Sequence, residues 1–150
     1  RFDAYWQAAE ANKIVFSEDG YFRTGHVFEI PEEAGKSDYY RFVGRSKDII
    51  VRGGMKISPD EIDGVLAGCP GINAVAVTGF EDPVLGERIG AAVVPQAGQV
   101  ISLEDLTRYL TDQGMAVFKL PEKMIIMEAL PVNATGKVLR AELRQHFDAS

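Results

Sequence analysis

The sequence predicts an α+β fold: a short sheet covered by helices and fronted by a β-hairpin, preceded by a short antiparallel β unit. Three observations predict it. The first third of the chain holds several short strand-like runs and few helix signals. The remainder interleaves apolar strand runs with amphipathic helical runs, the pattern of a small sheet with helices packed on it. Between the two lies Gly44 to Asp63, GRSKDIIVRGGMKISPDEID, which encodes strand, glycine turn, returning strand and capped helix in one stretch.

In chain order, Asp3 is placed to cap a short helix through Tyr5, Trp6, Ala8 and Ala9. Ile14 to Phe16 reads as a strand, Ser17 to Gly20 as a turn, and Tyr21 to Arg23 and His26 to Ile30 as strands. Pro31 to Asp38 is a polar loop, and Tyr39 to Val43 another strand. A boundary falls near Ser46 and Lys47. Asp48 to Val51 is then a strand, Gly53 and Gly54 tolerate the positive φ of a tight turn, and Met55 to Ile57 returns. Ser58 stands at an N-cap, Pro59 fits the first helical position, and Glu61 would complete a capping box. Ile62, Val65 and Leu66 supply the apolar face of that helix, and Gly68 its stop. Ile72 to Thr78 is an apolar strand, Phe80 to Pro83 a turn, and Arg88 to Val94 a second strand stopped by Pro95. Ser102 caps a helix with Leu103, Leu106, Tyr109 and Leu110 on one face and Gly114 after it. Lys123 to Met127 is a third strand, and Val138 to Phe147 a last helix with Leu139, Leu143 and Phe147 four residues apart.

Composition narrows the function classes. The chain has 150 residues, 46% hydrophobic and 25% charged, within the ordinary globular range and large enough for a sizeable core. A net charge of −6 argues against a nucleic-acid partner, whose phosphates it would repel. No apolar run of about 18 residues is present to span a bilayer. The single Cys69 has no internal disulfide partner, which is compatible with a cytoplasmic location. His26, His146 and Cys69 lack any metal-site spacing, so no metal site is expected in the chain. There is no Gly-x-Ser-x-Gly nucleophile turn. The run ending in Thr135-Gly136-Lys137 is not a P-loop, because Pro131 stands at the first glycine position and Val138 replaces Ser/Thr.

The bland reading of Gly44 to Asp63 is a hairpin packed on a helix. Its charges say more: Arg45, Lys47, Arg52 and Lys56 crowd an otherwise acidic chain beside a glycine turn, a setting that suits a phosphate-bearing ligand. This stretch resembles the hinge-and-hairpin motif of the AMP-forming acyl-CoA synthetases, a superfamily that includes luciferases and peptide-synthetase adenylation domains. Two more segments resemble that family in the same order, DGYFRTG at Asp19 to Gly25 and PVNATGKVLR at Pro131 to Arg140. The three together span nearly the whole chain.

The resemblance implies an activity and a set of roles. The chain, beginning at Arg1 with no signal-like segment, would be the C-terminal part of a longer enzyme: residues 1–46 the end of the large N-terminal adenylation domain, residues 47–150 a mobile C-terminal domain. The parent would adenylate a carboxylic acid with ATP and Mg²⁺ and pass the acyl group to CoA, the metal held mainly by the N-terminal domain; the fragment alone would be inactive. Lys137 would be the catalytic lysine of adenylation, its ammonium offsetting charge on the α-phosphate, on a loop that Asn133, Thr135 and Gly136 let approach closely. Taken alone, a lysine after Thr-Gly is a solvated turn residue. Arg45 would contact the ribose hydroxyls; otherwise it is a surface arginine pairing with Asp48 or Glu61. Thr24 and His26 would lie at the nucleotide too. Lys47 would be the hinge, Gly53 and Gly54 the wall of the pantetheine tunnel, and Lys56 a phosphate contact.

One position departs from the family pattern. The family reads Thr-Gly-Asp where this chain has Thr24-Gly25-His26, and the nearest downstream carboxylate, Glu29, sits three residues on, across a strand. Two alternatives therefore stay open: an adenylation domain serving a carrier-protein phosphopantetheine, and a catalytically weak relative that acts as a binding module. The acid substrate is not written in these residues.

Overall fold

The computed structural model describes residues 4–30 and 40–148. Asp3, the polar loop at Pro31 to Asp38, and Tyr39 lie outside them. The chain divides into two compact units, Arg1–Lys47 and Asp48–Ser150. Among the described residues, no helix is long and apolar enough to cross a membrane.

Among the described residues, the first unit contains one helix and two paired strands. Helix α1 runs over Ala9–Val15, later than the expected helix at residues 5–9, and it absorbs Ile14 and Val15, which were expected in a strand. The segment before it is held as a turn by Asn12, whose side chain accepts from Tyr5 N–H at 2.8 Å and donates to Tyr5 C=O at 3.0 Å. Asn12 lies inside the helix with its side chain committed to that turn, and Ile14-Val15 continue the helix against their β preference. Phe16 leaves the helix in an extended conformation and makes a single antiparallel bridge to Phe22, around the turn at Ser17 to Gly20. The expected strand at Tyr21 to Arg23 is thus reduced to one bridging residue. Strands β1 (His26–Glu29) and β2 (Arg41–Arg45) pair antiparallel, with an irregularity between Val27 and Phe28.

The second unit is a sheet with helices on both faces. Strands β3 (Ile50–Arg52) and β4 (Met55–Ile57) form the hairpin. Strands β5 (Ile72–Asp82) and β6 (Gly86–Pro95) form a long antiparallel ladder. The other edge of β6 meets β3 at Gly86, through Arg52, and β7 (Lys123–Ile126) from Gly90 to Val93, in parallel. Helices α2 (Pro59–Leu66) and α3 (Leu103–Asp112) cover one face, and α4 (Arg140–Asp148) the other.

Strand alternation sorts the core. Val77, Ile89, Ala91 and Val93 face Ile62, Leu66, Leu106 and Leu110, all fully buried. Ala76 and Ala92, one residue out of phase, face Leu143. Because both faces are covered, β5 and β6 read as almost continuous apolar runs. This also explains the expected turn at Phe80 to Pro83. Phe80 stays in β5 and stacks on Phe147 at 5.8 Å between ring centres, so the strand runs on to Asp82 and the turn starts at Pro83.

The helix ends fall close to their signals, with instructive exceptions. Ser102 and Asp105 form a reciprocal capping box on α3, and Gly114, at φ +80°, lets Met115 N–H reach Leu110 C=O at 2.9 Å. Ser58 does stand at the N-cap of α2, but its side chain makes no cap bond, and Glu61 reaches out to Lys119 at 2.7 Å rather than back to Ser58. The expected capping box is therefore absent. Gly68 is not in the left-handed region; α2 stops at Leu66, and a Cβ at Gly68 would lie 2.8 Å from the Tyr109 hydroxyl, which would have to shift. Helix α4 begins at Arg140, two residues later than expected, because Val132 and Val138 bridge to close a turn first.

Gly90 exposes how tightly α4 is seated. A Cβ at that position would lie 2.7–2.8 Å from three atoms of the Phe147 ring, which is itself buried. Gly90→Ala should therefore destabilise the second unit by about 1–3 kcal/mol, the usual cost of an added methyl in a packed core. Urea unfolding monitored by circular dichroism measures it; an unchanged midpoint would show that α4 can lift off the sheet without cost.

Candidate functional site

In the first unit, three of the expected ligand residues converge. The backbone turns at Gly25, φ +72°, and Gly25 C=O accepts from Ser46 N–H at 2.7 Å. Thr24 Oγ1 accepts from His26 N–H at 3.1 Å. His26 is the register partner of Arg45 across β1 and β2, so the two side chains share a face. The His26 ring lies edge-on to Phe42 at 5.5 Å and to Phe28 at 6.4 Å. Arg45 makes no ion pair among the described residues, and Glu61, one of its possible partners, is held by Lys119. Glu29 is paired with Arg41 and so committed elsewhere. Exposed Thr24 and His26 and half-buried Arg45 thus form a group of donors and acceptors with no carboxylate among them. Lys47 is the last residue of this unit, exposed and next to the division.

In the second unit, Gly53 (φ +56°) and Gly54 (φ +83°) both take left-handed conformations, as a two-residue hairpin turn demands. Gly53 N–H donates to Leu85 C=O at 2.8 Å, which ties the turn to the β5–β6 connection. A Cβ at Gly54 would meet nothing within 4 Å, so the surface beyond it is open. Lys56 is exposed on β4. Arg52 breaks the expected cationic cluster. It turns inward to Glu122 at 2.7 Å, and Arg88 approaches the same carboxylate at 3.6 Å while bonding Asp82. Its charge is spent on fixing the hairpin, not offered to a phosphate.

Lys137 stands at the end of a turn organised by Asn133. The Asn133 side-chain oxygen accepts from Thr135 N–H at 3.0 Å, Thr135 Oγ1–H at 2.7 Å and Lys137 N–H at 2.9 Å. Asn133 N–H donates to Lys137 C=O at 2.9 Å, and Gly136 takes φ +78° to close the loop. Residues 132–137 are exposed, and the Lys137 ammonium has no ion-pair partner among the described residues. A cation held forward by its backbone and left unpaired is chemically available to a developing anion.

Three residues on, Arg140 does the reverse. Its side chain is only 12% exposed, donates to Val77 C=O in β5, and pairs with Asp60 and with Asp63 at 2.8 Å, both in the first turns of α2. Asp63 also accepts from Val77 N–H at 2.7 Å. Burial pushes the Asp63 carboxyl up to about 6 even though Arg140 and the Val77 N–H pull it down. The sequence reading quoted Arg140 within its motif and gave it no role. The available signal was Asp60 and Asp63, three residues apart at a helix start, together with a cation at the start of α4, where the helix dipole disfavours one. Among the described residues, no group of three or more His, Cys, Asp or Glu is placed to hold a metal ion.

Comparison with known proteins gives a consistent result. Residues 61–137 match the family described as the AMP-binding enzyme C-terminal domain. A salicylyl-CoA synthase/salicylate adenylyltransferase of Streptomyces is 39% identical over 93% of this chain and 25% of its own length. A long-chain-fatty-acid–CoA ligase of Mycobacterium tuberculosis is 39% identical over 97% of this chain and 28% of its own length. Among solved structures, ATP-bound MatB from Rhodopseudomonas palustris is 34% identical, with a TM-score of 0.82, over 97% of this chain and 28% of that one. The chain thus spans about a quarter of the length of the curated relatives it matches.

Proposed function

The chain belongs to the AMP-binding enzyme C-terminal domain family, and on that premise we propose that it forms the C-terminal part of an ATP-dependent, AMP-forming acyl-CoA ligase. The parent activates a carboxylic acid in two steps. The carboxylate oxygen attacks the α-phosphorus of ATP, and pyrophosphate leaves, giving an acyl-adenylate. The CoA thiol, losing its proton, then attacks the acyl carbon, and AMP leaves with the electron pair of the broken C–O bond. The first unit is the end of the large adenylation domain, and the second is the mobile domain that serves both steps. The acid pocket lies in residues outside this chain.

The observation that carries this reading is Lys137. It is an ammonium with no ion-pair partner among the described residues, on a turn held forward by Asn133 and within the matched span of the family. In the first step negative charge builds on the α-phosphoryl oxygens and passes to the leaving pyrophosphate, and a preplaced cation lowers that barrier. His26 on β1, Arg45 opposite it on β2 and Thr24 just before β1 meet the ribose. Lys47, at the division between the units, is the hinge. The open surface at Gly54 accommodates the pantetheine arm of CoA beside Gly53, with Lys56 toward its phosphates.

Three measurements test the reading. The parent, given ATP, CoA and a panel of carboxylic acids, should release AMP, whereas this chain alone should release neither AMP nor pyrophosphate. An acid- and CoA-independent ATPase, or turnover by this chain alone, would overturn the assignment.

In the parent, Lys137→Ala should slow adenylate formation on the order of 10²–10³-fold, the loss typical of removing one transition-state charge donor. Thioester formation from supplied acyl-adenylate should be spared. Equal loss in both steps would make Lys137 a structural residue.

His26→Asp in the parent should tighten ATP binding, because a carboxylate offers two oxygens to the ribose hydroxyls and a neutral imidazole one nitrogen. A hydrogen bond to a charged group is worth about 1.5–3 kcal/mol, so the gain should be roughly tenfold to a hundredfold by calorimetry. Weaker binding would mean that His26 makes a favourable contact of its own.

A further inference from the structure

We propose that Arg140 is the positioning residue for Lys137, locking the Lys137 turn to the start of α2 and to the middle of β5. The proposal rests on the reading of Lys137 given above and adds a residue that this reading does not use. Arg140 is the first residue of α4 and closes the sequence that begins at Pro131. Leu139 N–H donates to Pro131 C=O at 2.8 Å, so the backbone entering α4 is itself one side of the loop's neck. Whatever fixes Arg140 fixes that neck.

The fixing is unusually complete. One nitrogen of the guanidinium serves Val77 C=O, and the other serves Asp60 and Asp63, so three groups on two elements hold one planar ion. A cation at a helix start opposes the helix dipole, and a half-buried one also gives up hydration. That placement is stable only because two carboxylates at the start of another helix face it. Val77 is bound from both sides, its C=O by Arg140 and its N–H by Asp63, so the anchor sits on the buried ladder and not on a loop. The clasp also reaches the hairpin. Asp60 follows Ile57, Ser58 and Pro59 directly, so the guanidinium that steadies the Lys137 neck grips the helix that continues from β4. Lys137 itself is exposed, and among the described residues its side chain has no ion-pair partner to set its direction. The planar fork explains the choice of arginine, since its two terminal nitrogens reach three separate acceptors on two elements, whereas lysine is a single point charge.

Two arms test this. The first uses the chain itself and needs no activity. Amide hydrogen exchange is followed at Lys137 and Leu139 and, as internal controls, at Ala91 and Val93 in the β5–β6 ladder. In Arg140→Met the first pair should exchange roughly tenfold faster relative to the controls, the scale of one lost charge-assisted bond. Asp60→Asn, which removes only the exposed half of the clasp, should shift the same amides by less, and it carries the measurement if Arg140→Met does not fold. An equal rise at all four amides, or no rise, would overturn the positioning role.

The second arm uses the parent. Arg140→Met should lower kcat for adenylate formation on the order of tenfold to a hundredfold, as expected for a misplaced catalytic group, with KM for ATP little changed. Thioester formation from supplied adenylate should be spared, and Arg140→Lys should recover part of the loss. Equal loss in both steps would reduce Arg140 to a fold residue. If Lys137→Ala leaves adenylation intact, the reading of Lys137 fails instead, and the exchange arm still reports whether the clasp exists.

Discussion

Strand β6 must bury both of its faces, and the rest of the second unit is arranged around that requirement. Ile89, Ala91 and Val93 cannot be left in water, and neither can Ala92 and Val94 behind them. Two layers of helix answer the need, α2 and α3 in front and α4 behind. Both edges of the strand are occupied as well, by β5 on one side and by β3 and β7 on the other. Small residues at Ala76, Gly90 and Ala92 let α4 come close enough to place Phe147 flat against the sheet. A strand so enclosed is a fixed reference for the unit, and the hairpin and the Lys137 turn are both tied to the ladder it forms. The hairpin reaches it through Arg52 opposite Gly86, and the Lys137 turn through Arg140 on Val77, the partner of Ala91.

The two loops are secured by different physics. At the hairpin, Arg52, Arg88, Asp82 and Glu122 form a partly buried ionic network under the turn, and two left-handed glycines shape the turn itself. At the Lys137 turn a neutral amide shapes the loop and a buried guanidinium fixes its neck. Each scheme leaves one cation outward, Lys56 in the first and Lys137 in the second, and turns the neighbouring arginine inward. Arg and Lys are used for different ends here. The forked, weakly hydrated guanidinium suits fixed internal contacts, and the compact ammonium stays solvated and free to move.

Much of this was legible in the residues. Strong periodicity placed α3, because burial on one face leaves a helical repeat, and short β-branched apolar runs bounded by turn residues placed β3, β4, β5, β6 and β7. Gly53-Gly54 announced its turn because few other residues accept those dihedrals. The misreadings share a cause. Ile14-Val15 reads as strand by propensity, but the pair continues a helix whose Asn12 is bonded to Tyr5, seven residues back. Phe80 to Asp82 reads as turn from its Asp-Pro, but a stacking partner 67 residues later keeps it extended. Glu61 reads as half of a capping box and is taken by Lys119. In each case the deciding partner is a particular side chain whose position depends on the finished fold, and local pattern carries no record of it. The candidate site divides the same way. The motif residues Lys137, Gly53, Gly54 and Arg45 were visible, whereas the inward turn of Arg52 and the clasp at Arg140 became visible only in three dimensions.

Asn133 has a consequence for how this unit tolerates change. Its side-chain oxygen serves three donors, yet every one of them lies at the surface, where water is an adequate substitute acceptor. Replacing it therefore costs the folded state little, and the loop stays soluble and hydrated. What disappears is the single conformation, since water satisfies donors in many arrangements and a fixed oxygen in one. Folding stability is therefore nearly blind to position 133, whereas the direction of the Lys137 ammonium depends on it. The same loop is thus neutral by one measure and constrained by the other, and only an assay that reads geometry can tell the two apart.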